Sequence, residues 1–291
     1  RWAHLQDQSR IYRERGLHWG PGLSPFALYR DYGAAQRSAL RSKVSRLMEL
    51  QPALLGILFD DMPGNIADLA SRQADILADV RDWAPGVRLL ACPTYYSFDP
   101  VLEQHFGARP AGYWEQLGRQ LPPDVDIFWT GKEVCAETVT EDCIAAITRL
   151  LGRAPLLWDN YPVNDGAVRS RFLYCEAPTG RSPRLRSLLA GHLSNPMNQG
   201  MLSLPALSGL AALYTGDTSP EGWLAAALGP DTWAELRSDR ELFRSLGLDG
   251  LDAERHRALT RKYEALPGAA AAEVAGWLRG EYTFDPACLT D

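Results

Sequence analysis

The sequence predicts an α/β fold built on parallel strands, either an open sheet or a barrel, followed by an α-helical region. Three observations carry this expectation. From about residue 16 to 176, short apolar runs alternate with longer amphipathic segments, the pattern of strand, loop and helix repeated along a parallel sheet. Polar clusters stand directly after four of those runs: Asp60-Asp61, Thr94-Tyr95-Tyr96, Thr130-Gly131 and Asp159-Asn160. Beyond about residue 200 the runs stop, and Ala, Leu, Arg and Glu dominate. The 291 residues suffice for one large domain and a smaller companion, here divided as 1–200 and 201–291.

Taken in order, residues 1–15 read as the tail of a helix, and Gly16 to Pro21 is a weak first strand. Ala34 to Leu50 places Leu40, Val44, Leu47 and Met48 on one face at helical spacing. The apolar runs Leu54 to Phe59, Val87 to Cys92, Val125 to Trp129, Pro155 to Trp158 and Arg171 to Tyr174 complete six strands. Helices fill the spaces between them at Asp68 to Ala84, Tyr113 to Leu121 and Thr140 to Leu151, the last opened by a Thr N-cap and an acidic first turn. In the C-terminal region Gly229-Pro230, Gly247 to Gly250 and Pro267-Gly268 separate several helices. Ala269 to Ala272 is a helix start, and Trp223, Trp233 and Trp277 are the expected packing anchors.

Composition removes several classes of function. With 46% apolar and 23% charged residues the chain is neither disordered, collagen-like nor a coiled coil. A net charge of -6 argues against nucleic acid as a partner. The longest apolar stretches, Leu54 to Phe59 and Leu224 to Leu228, fall far short of the roughly 20 residues that cross a bilayer, so no membrane partner is expected. Residues 1–15 lack the apolar core of a secretory signal. Cys92, Cys135, Cys143, Cys175 and Cys288 show no C-x-x-C or zinc spacing; they read as mostly buried thiols of a reducing, cytoplasmic compartment. His4, His18, His105, His192 and His256 are scattered without H-E-x-x-H spacing, and Gly20-Pro21-Gly22 lacks the third glycine of a dinucleotide fingerprint. No G-x-S-x-G elbow occurs. No metal and no cofactor are therefore expected, and Arg181, Arg184 and Arg186 read as a solvated basic face, with contact to an anionic substrate as the alternative.

Two segments carry chemistry. Asp60-Asp61 closes an apolar strand, where two like charges split their pKa values and leave one carboxyl protonated while the other ionises. Taken alone, the pair is equally a turn with a helix N-cap. Neighbouring strand residues face opposite ways, so these two acids do not bracket one sugar carbon at the roughly 5–5.5 Å of an ordinary retaining glycosidase. They need two different jobs. Trp158-Asp159-Asn160-Tyr161-Pro162-Val163-Asn164-Asp165 joins a flat apolar surface to amide and carboxylate groups, as a pyranose and its hydroxyls require; plain core is the alternative for Trp158. Asn195-Pro196-Met197-Asn198 is by itself a turn signal.

In order, Leu58-Phe59-Asp60-Asp61, Cys92-Pro93-Thr94-Tyr95-Tyr96, Phe128-Trp129-Thr130-Gly131 with Val134, Trp158-Asp159-Asn160 with Asn164-Asp165, and Ser194-Asn195-Pro196-Met197-Asn198 resemble glycoside hydrolase family 84. These are the retaining β-N-acetylglucosaminidases that include O-GlcNAcases and clostridial hyaluronidase-like enzymes. The resemblance covers roughly residues 16 to 205. It implies a TIM-type (β/α)8 barrel and substrate-assisted catalysis, in which the sugar's 2-acetamido oxygen attacks the anomeric carbon and forms an oxazoline. By carry-over, Asp60 orients and polarises the acetamido N–H, while Asp61 protonates the leaving oxygen and then activates water. Tyr96 supports the acetamido group, Thr130 and Val134 line the site, Trp158 shapes the acetamido pocket with Asn160, and Asp165 and Asn195 bind sugar hydroxyls. The partner implied is an N-acetylglucosamine-containing glycan or glycoprotein.

One departure stands out. The family's barrel begins with two βα units that supply a backbone Gly contact and a Lys to the sugar. This sequence begins inside the helix before the third strand, so six parallel strands are expected with a gap where the first two belong. A shortened chain, or closure by another chain and hence a homo-oligomer, accounts for it. Two readings from other classes stay open: an inactive carbohydrate-binding homologue using the same Trp and Asn surface, and an Asp-Asp metallohydrolase, which a chelator would silence.

Overall fold

The computed structural model describes residues 1–217, 220–282 and 284; Cys288 lies outside them. Helix α1 (Trp2–Glu14) leads to strand β1 (Gly22–Leu23), then α2 (Ala34–Met48), β2 (Leu54–Leu58), α3 (Leu69–Trp83) and β3 (Arg88–Cys92). Next come α4 (Val101–Phe106), α5 (Tyr113–Gln120), β4 (Asp126–Trp129), α6 (Glu141–Leu151), β5 (Leu156–Asp159) and β6 (Gly191–Ser194). The six strands form one sheet in sequential order β1 to β6, and the paired registers from β1 to β5 are all parallel, for example Gly56 opposite Leu90 and Phe128 opposite Leu156. This is a parallel α/β fold of the TIM-like kind, with six strands among the described residues.

Strands such as Leu54–Leu58 are apolar without alternation because helices cover a parallel sheet on its outer side while the inner side is also buried. Leu55 and Ile57 are fully buried, each contributing about 1.5–3 kcal/mol of burial free energy. The helices between strands turn their apolar stripes inward, as Leu69, Ile76, Leu77 and Val80 do along α3 and Ile144 and Ile147 along α6. Close packing of α5 depends on Gly118, where a Cβ would lie 2.0 Å from the Leu151 carbonyl oxygen.

Helices α7 (Leu204–Thr215), α8 (Glu221–Leu228), α9 (Pro230–Ser245), α10 (Ala253–Glu264) and α11 (Ala269–Leu278) follow the sheet; the breaks from α8 to α11 fall at the predicted Gly and Pro positions, and the one between α7 and α8 is additional. Asp252 caps α10, its carboxylate accepting from the Glu254 and Arg255 N–H groups at 3.0 and 2.8 Å. The chain divides into two compact units. The first comprises Arg1–Lys132, Asp142–Leu157 and Leu188–Gly191, the second Glu133–Glu141, Trp158–Ser187 and His192–Asp291. The core of the second gathers Leu173, Cys175, Trp233, Leu236, Phe243, Tyr263 and Trp277.

Four expectations need correction. The first strand is not Gly16 to Pro21 but the two residues that follow it, Gly22–Leu23. Arg171 to Tyr174 is not a strand: a 3-10 turn covers Arg169–Arg171, and Leu173 enters the second core. The sixth strand is Gly191–Ser194, whose half-exposed, polar residues hide it from a search for apolar runs. Trp223 is 55% exposed and lies outside the buried core of the second unit, whereas Trp233 and Trp277 are buried as expected. The short helix α4 had no counterpart in the sequence reading.

Candidate active site

In the first unit, every residue singled out follows a strand. Asp60 and Asp61 follow β2 after the single residue Phe59, Tyr96 lies in the segment after β3, and Thr130 directly follows β4. The backbone there is tied by buried hydrogen bonds. Phe59 N–H donates to the Cys92 carbonyl at 2.8 Å, and the Thr94 hydroxyl donates to the Phe59 carbonyl at 2.7 Å. Gln73 Nε2 donates to that hydroxyl at 2.8 Å, the Tyr113 hydroxyl donates to Gln73 Oε1, and Thr94 N–H closes the ring onto the Tyr113 oxygen at 3.2 Å. This network fixes the strand end that delivers Asp60. Thr130 N–H donates to the Tyr96 carbonyl at 2.9 Å, which joins these two predicted residues.

The two carboxylates sit in different surroundings. Asp60 is half-buried and Asp61 exposed. Burial, and then the neighbouring Asp61 charge, push the Asp60 carboxyl up to about 6. Asp61 has φ 53°, the left-handed region that costs a non-glycine residue about 1–3 kcal/mol and clusters at functional positions. Beyond it, the Tyr29 hydroxyl donates to the Pro63 carbonyl at 2.5 Å and Gly64 N–H donates to the Phe106 carbonyl at 2.7 Å. Gly64 lies against Tyr95, where a Cβ would come within 2.6 Å of the phenol oxygen. The turn is thus anchored on both sides. Cys92, buried nearby, has its thiol pushed well up by burial and then by the charges of Asp60 and Asp61.

In the second unit, Trp158 is half-buried in β5, Asn160 directly follows that strand, and Asn195 directly follows β6. Asn195 therefore shares the strand-end pattern of the others. Asn195 Nδ2 donates to Asn160 Oδ1 at 3.1 Å, and Asn160 Nδ2 donates to the Val134 carbonyl at 2.8 Å. Asn195 N–H donates to the Asp159 carbonyl at 2.9 Å. Val134, Asn160 and Asn195 thus form one hydrogen-bonded chain, while Asp165 is exposed on the loop that follows Asn160.

Sequence reasoning missed the cluster beside that chain. Asp159 is buried in β5 and holds a bidentate pair with Arg181, Nε to Oδ2 at 2.8 Å and Nη2 to Oδ1 at 2.6 Å. His192 Nε2 lies 3.0 Å from Asp159 Oδ2, and its Nδ1 lies 2.7 Å from the Tyr214 hydroxyl. Burial opposes ionisation of Asp159, but the hydrogen bonds from Arg181 and His192 outweigh it and hold the carboxyl below its usual range. Arg181 is therefore no part of a solvated face, although Arg184 and Arg186 are exposed. A carboxylate at the end of Leu-Leu-Trp-Asp was the available signal, since a buried strand does not carry a charge without a counter-ion.

Among the described residues there is no group of three or more His, Cys, Asp or Glu side chains able to hold a metal ion, and no helix long and apolar enough to cross a membrane. Cys92 and Cys175 are buried thiols; Cys135 and Cys143 are half-buried.

The Protein O-GlcNAcases of Rattus norvegicus and Mus musculus are each 27% identical to this chain over 190 residues, which is 61% of this chain and 20% of theirs. The chain thus spans about a fifth of the length of these relatives. A solved Thermobaculum terrenum O-GlcNAc hydrolase mutant superposes with a TM-score of 0.71 at 24% identity, covering 96% of this chain and 70% of that one; at that identity the likeness speaks for the fold. The β-N-acetylglucosaminidase family model matches residues 17–222, so this chain belongs to the β-N-acetylglucosaminidases of glycoside hydrolase family 84.

Proposed function

We propose that this chain carries the catalytic machinery of a retaining β-N-acetylglucosaminidase, removing terminal β-linked N-acetylglucosamine from an O-GlcNAc protein or an oligosaccharide through an oxazoline. Residues 1–200 form its catalytic part and 201–291 a helical region. Its buried thiols fit a reducing compartment such as the cytoplasm. The observation that carries the reading, on the family background, is the geometry of the adjacent and unequal pair Asp60 and Asp61: one half-buried, the other exposed on a left-handed backbone.

In this reaction the acetamido oxygen attacks the anomeric carbon as the bond to the leaving oxygen breaks. Asp60 accepts the acetamido N–H and so raises the nucleophilicity of the carbonyl oxygen, a task that requires its ionised form. Asp61 gives its proton to the leaving oxygen, then takes one from the water that opens the oxazoline. Tyr96 supports the acetamido group, Thr130 and Val134 line the site, Trp158 shapes the acetamido pocket with Asn160, and Asp165 and Asn195 bind sugar hydroxyls. No metal or cofactor is needed, because the substrate supplies the nucleophile.

The test is a series of aryl N-acetylglucosaminides with increasing fluorine on the N-acyl group. Each fluorine weakens the carbonyl oxygen, so rates should fall steadily along the series. A flat series, or a glycosyl-Asp ester trapped and seen by mass spectrometry, overturns the substrate-assisted mechanism. An absence of any turnover favours an inactive binding homologue, and loss of turnover in chelator favours a metallohydrolase.

A further inference from the structure

We propose that Arg181 is a positioning residue: it holds Asp159 and the Ala136–Glu137 stretch together and so sets the placement of Asn160 and Val134, and with it the fit of the N-acyl group, while His192 ties the Asn195 segment to the same carboxylate. The proposal rests on reading those three residues as sugar contacts. The side chains of Asp159, Arg181 and His192 are only 3–5% exposed, so the cluster is interior and meets no substrate itself.

The guanidinium is fully committed. Beyond its two bonds to Asp159, Nη2 donates to the Ala136 carbonyl at 2.9 Å, and Nη1 donates to the Thr179 carbonyl at 2.7 Å and to the Glu137 carbonyl. Val139 N–H donates to the Gly180 carbonyl at 3.0 Å, adding a backbone bond between the same two stretches. Ala136 and Glu137 lie two and three residues beyond Val134, Asp159 directly precedes Asn160, and His192 stands three residues before Asn195. One ionic cluster thus reaches every segment of the Val134–Asn160–Asn195 chain. Only a planar fork with five donors serves two carboxylate oxygens and three carbonyls at once; a Lys ammonium has three donors from a single point.

The experiment compares Arg181→Lys and His192→Gln with the unaltered chain. Three readouts are taken: kcat and KM on 4-nitrophenyl N-acetylglucosaminide, the preference for N-acetyl over N-butanoyl glycosides, and amide hydrogen exchange at Val134–Val139. For Arg181→Lys, KM should rise about 10–100-fold while kcat falls less than about 10-fold. The N-acyl preference should narrow, and exchange at Val134–Val139 should quicken while that at Leu55–Ile57 stays unchanged. His192→Gln keeps the Asp159–Arg181 pair, so it should raise KM less and leave the N-acyl preference intact. Unchanged kinetics and exchange, or a fall in kcat equal on both N-acyl substrates with KM constant, overturns the proposal. If Arg181→Lys fails to fold, His192→Gln decides: a narrowed N-acyl preference there contradicts the assigned division of roles. If the unaltered chain does not turn over the glycoside, the functional reading fails, and exchange at Val134–Val139 alone judges the tether.

Discussion

At the scale of single residues, adjacency is what separates the proposed pair Asp60 and Asp61 from the carboxylates of an ordinary two-carboxylate glycosidase. Asp61→Asn removes the proposed proton donor and should slow turnover by about 10²–10⁴-fold. The loss should be greater for an alkyl leaving group, which needs protonation, than for a good phenol, which hardly does; equal losses would contradict the assignment. Asp60 makes a separate prediction about pH. Its folded value of about 6 stands above the unfolded 3.8, so between those values the folded state holds more protons. Stability therefore falls as pH rises through that window, and the cost is fully present above it. Asp60→Asn should consequently stabilise the protein by about 1–3 kcal/mol near pH 7 and by nothing near pH 3, read from urea melts at both. The same ionisation should place an acidic limb near pH 6 in kcat/KM, because only the carboxylate accepts the acetamido N–H.

At the scale of elements, the strands and helices that a periodic pattern describes were readable, and so were the strand-end positions of the residues proposed for the site. Leu54–Leu58, Arg88–Cys92, Asp126–Trp129 and Leu156–Asp159 announce themselves because a strand buried on both faces is continuously apolar. The polar residues that follow them need no further argument to be singled out. Gly191–Ser194 was not readable: its burial is partial and its His is spent on Asp159, so neither apolarity nor alternation marks it. Asn195 was found through family resemblance rather than through its strand. The Asp159–Arg181 pair spans 22 residues, and no local rule links a loop arginine to a strand carboxylate. Helix packing offers a test at this scale. Gly118 brings α5 against the Leu151 carbonyl, and Gly118→Val would drive a branched side chain into backbone that cannot yield. A loss of about 1–3 kcal/mol or more is expected, measured by thermal or urea unfolding; a neutral effect would mean the helices do not meet there.

At the scale of the whole molecule, the helices after the sheet hold a core of their own, which the Ala- and Leu-rich composition signalled without giving its partners. Trp277 lies at its centre. Its ring packs edge-on against Phe243 with centroids 5.2 Å apart, and its Nε1 donates to the Ser170 carbonyl at 3.1 Å. That bond joins α11 to a turn 107 residues earlier, immediately before the run Arg171 to Tyr174 that reads as a strand in sequence. The apolar run through Leu173 and Cys175 is therefore apolar because it enters this core, not because it belongs to the sheet. Trp277→Ala removes one of the two tryptophan side chains of the core and leaves the Ser170 carbonyl without its donor. Cavity and lost burial together should cost about 3–5 kcal/mol, with the unpaired carbonyl adding to the cost. Trp277→Phe keeps most of the volume and should lose less. Urea unfolding of the two variants separates the contributions: if Phe is as damaging as Ala, the hydrogen bond to Ser170 dominates, and if both are neutral, Trp277 does not organise this core.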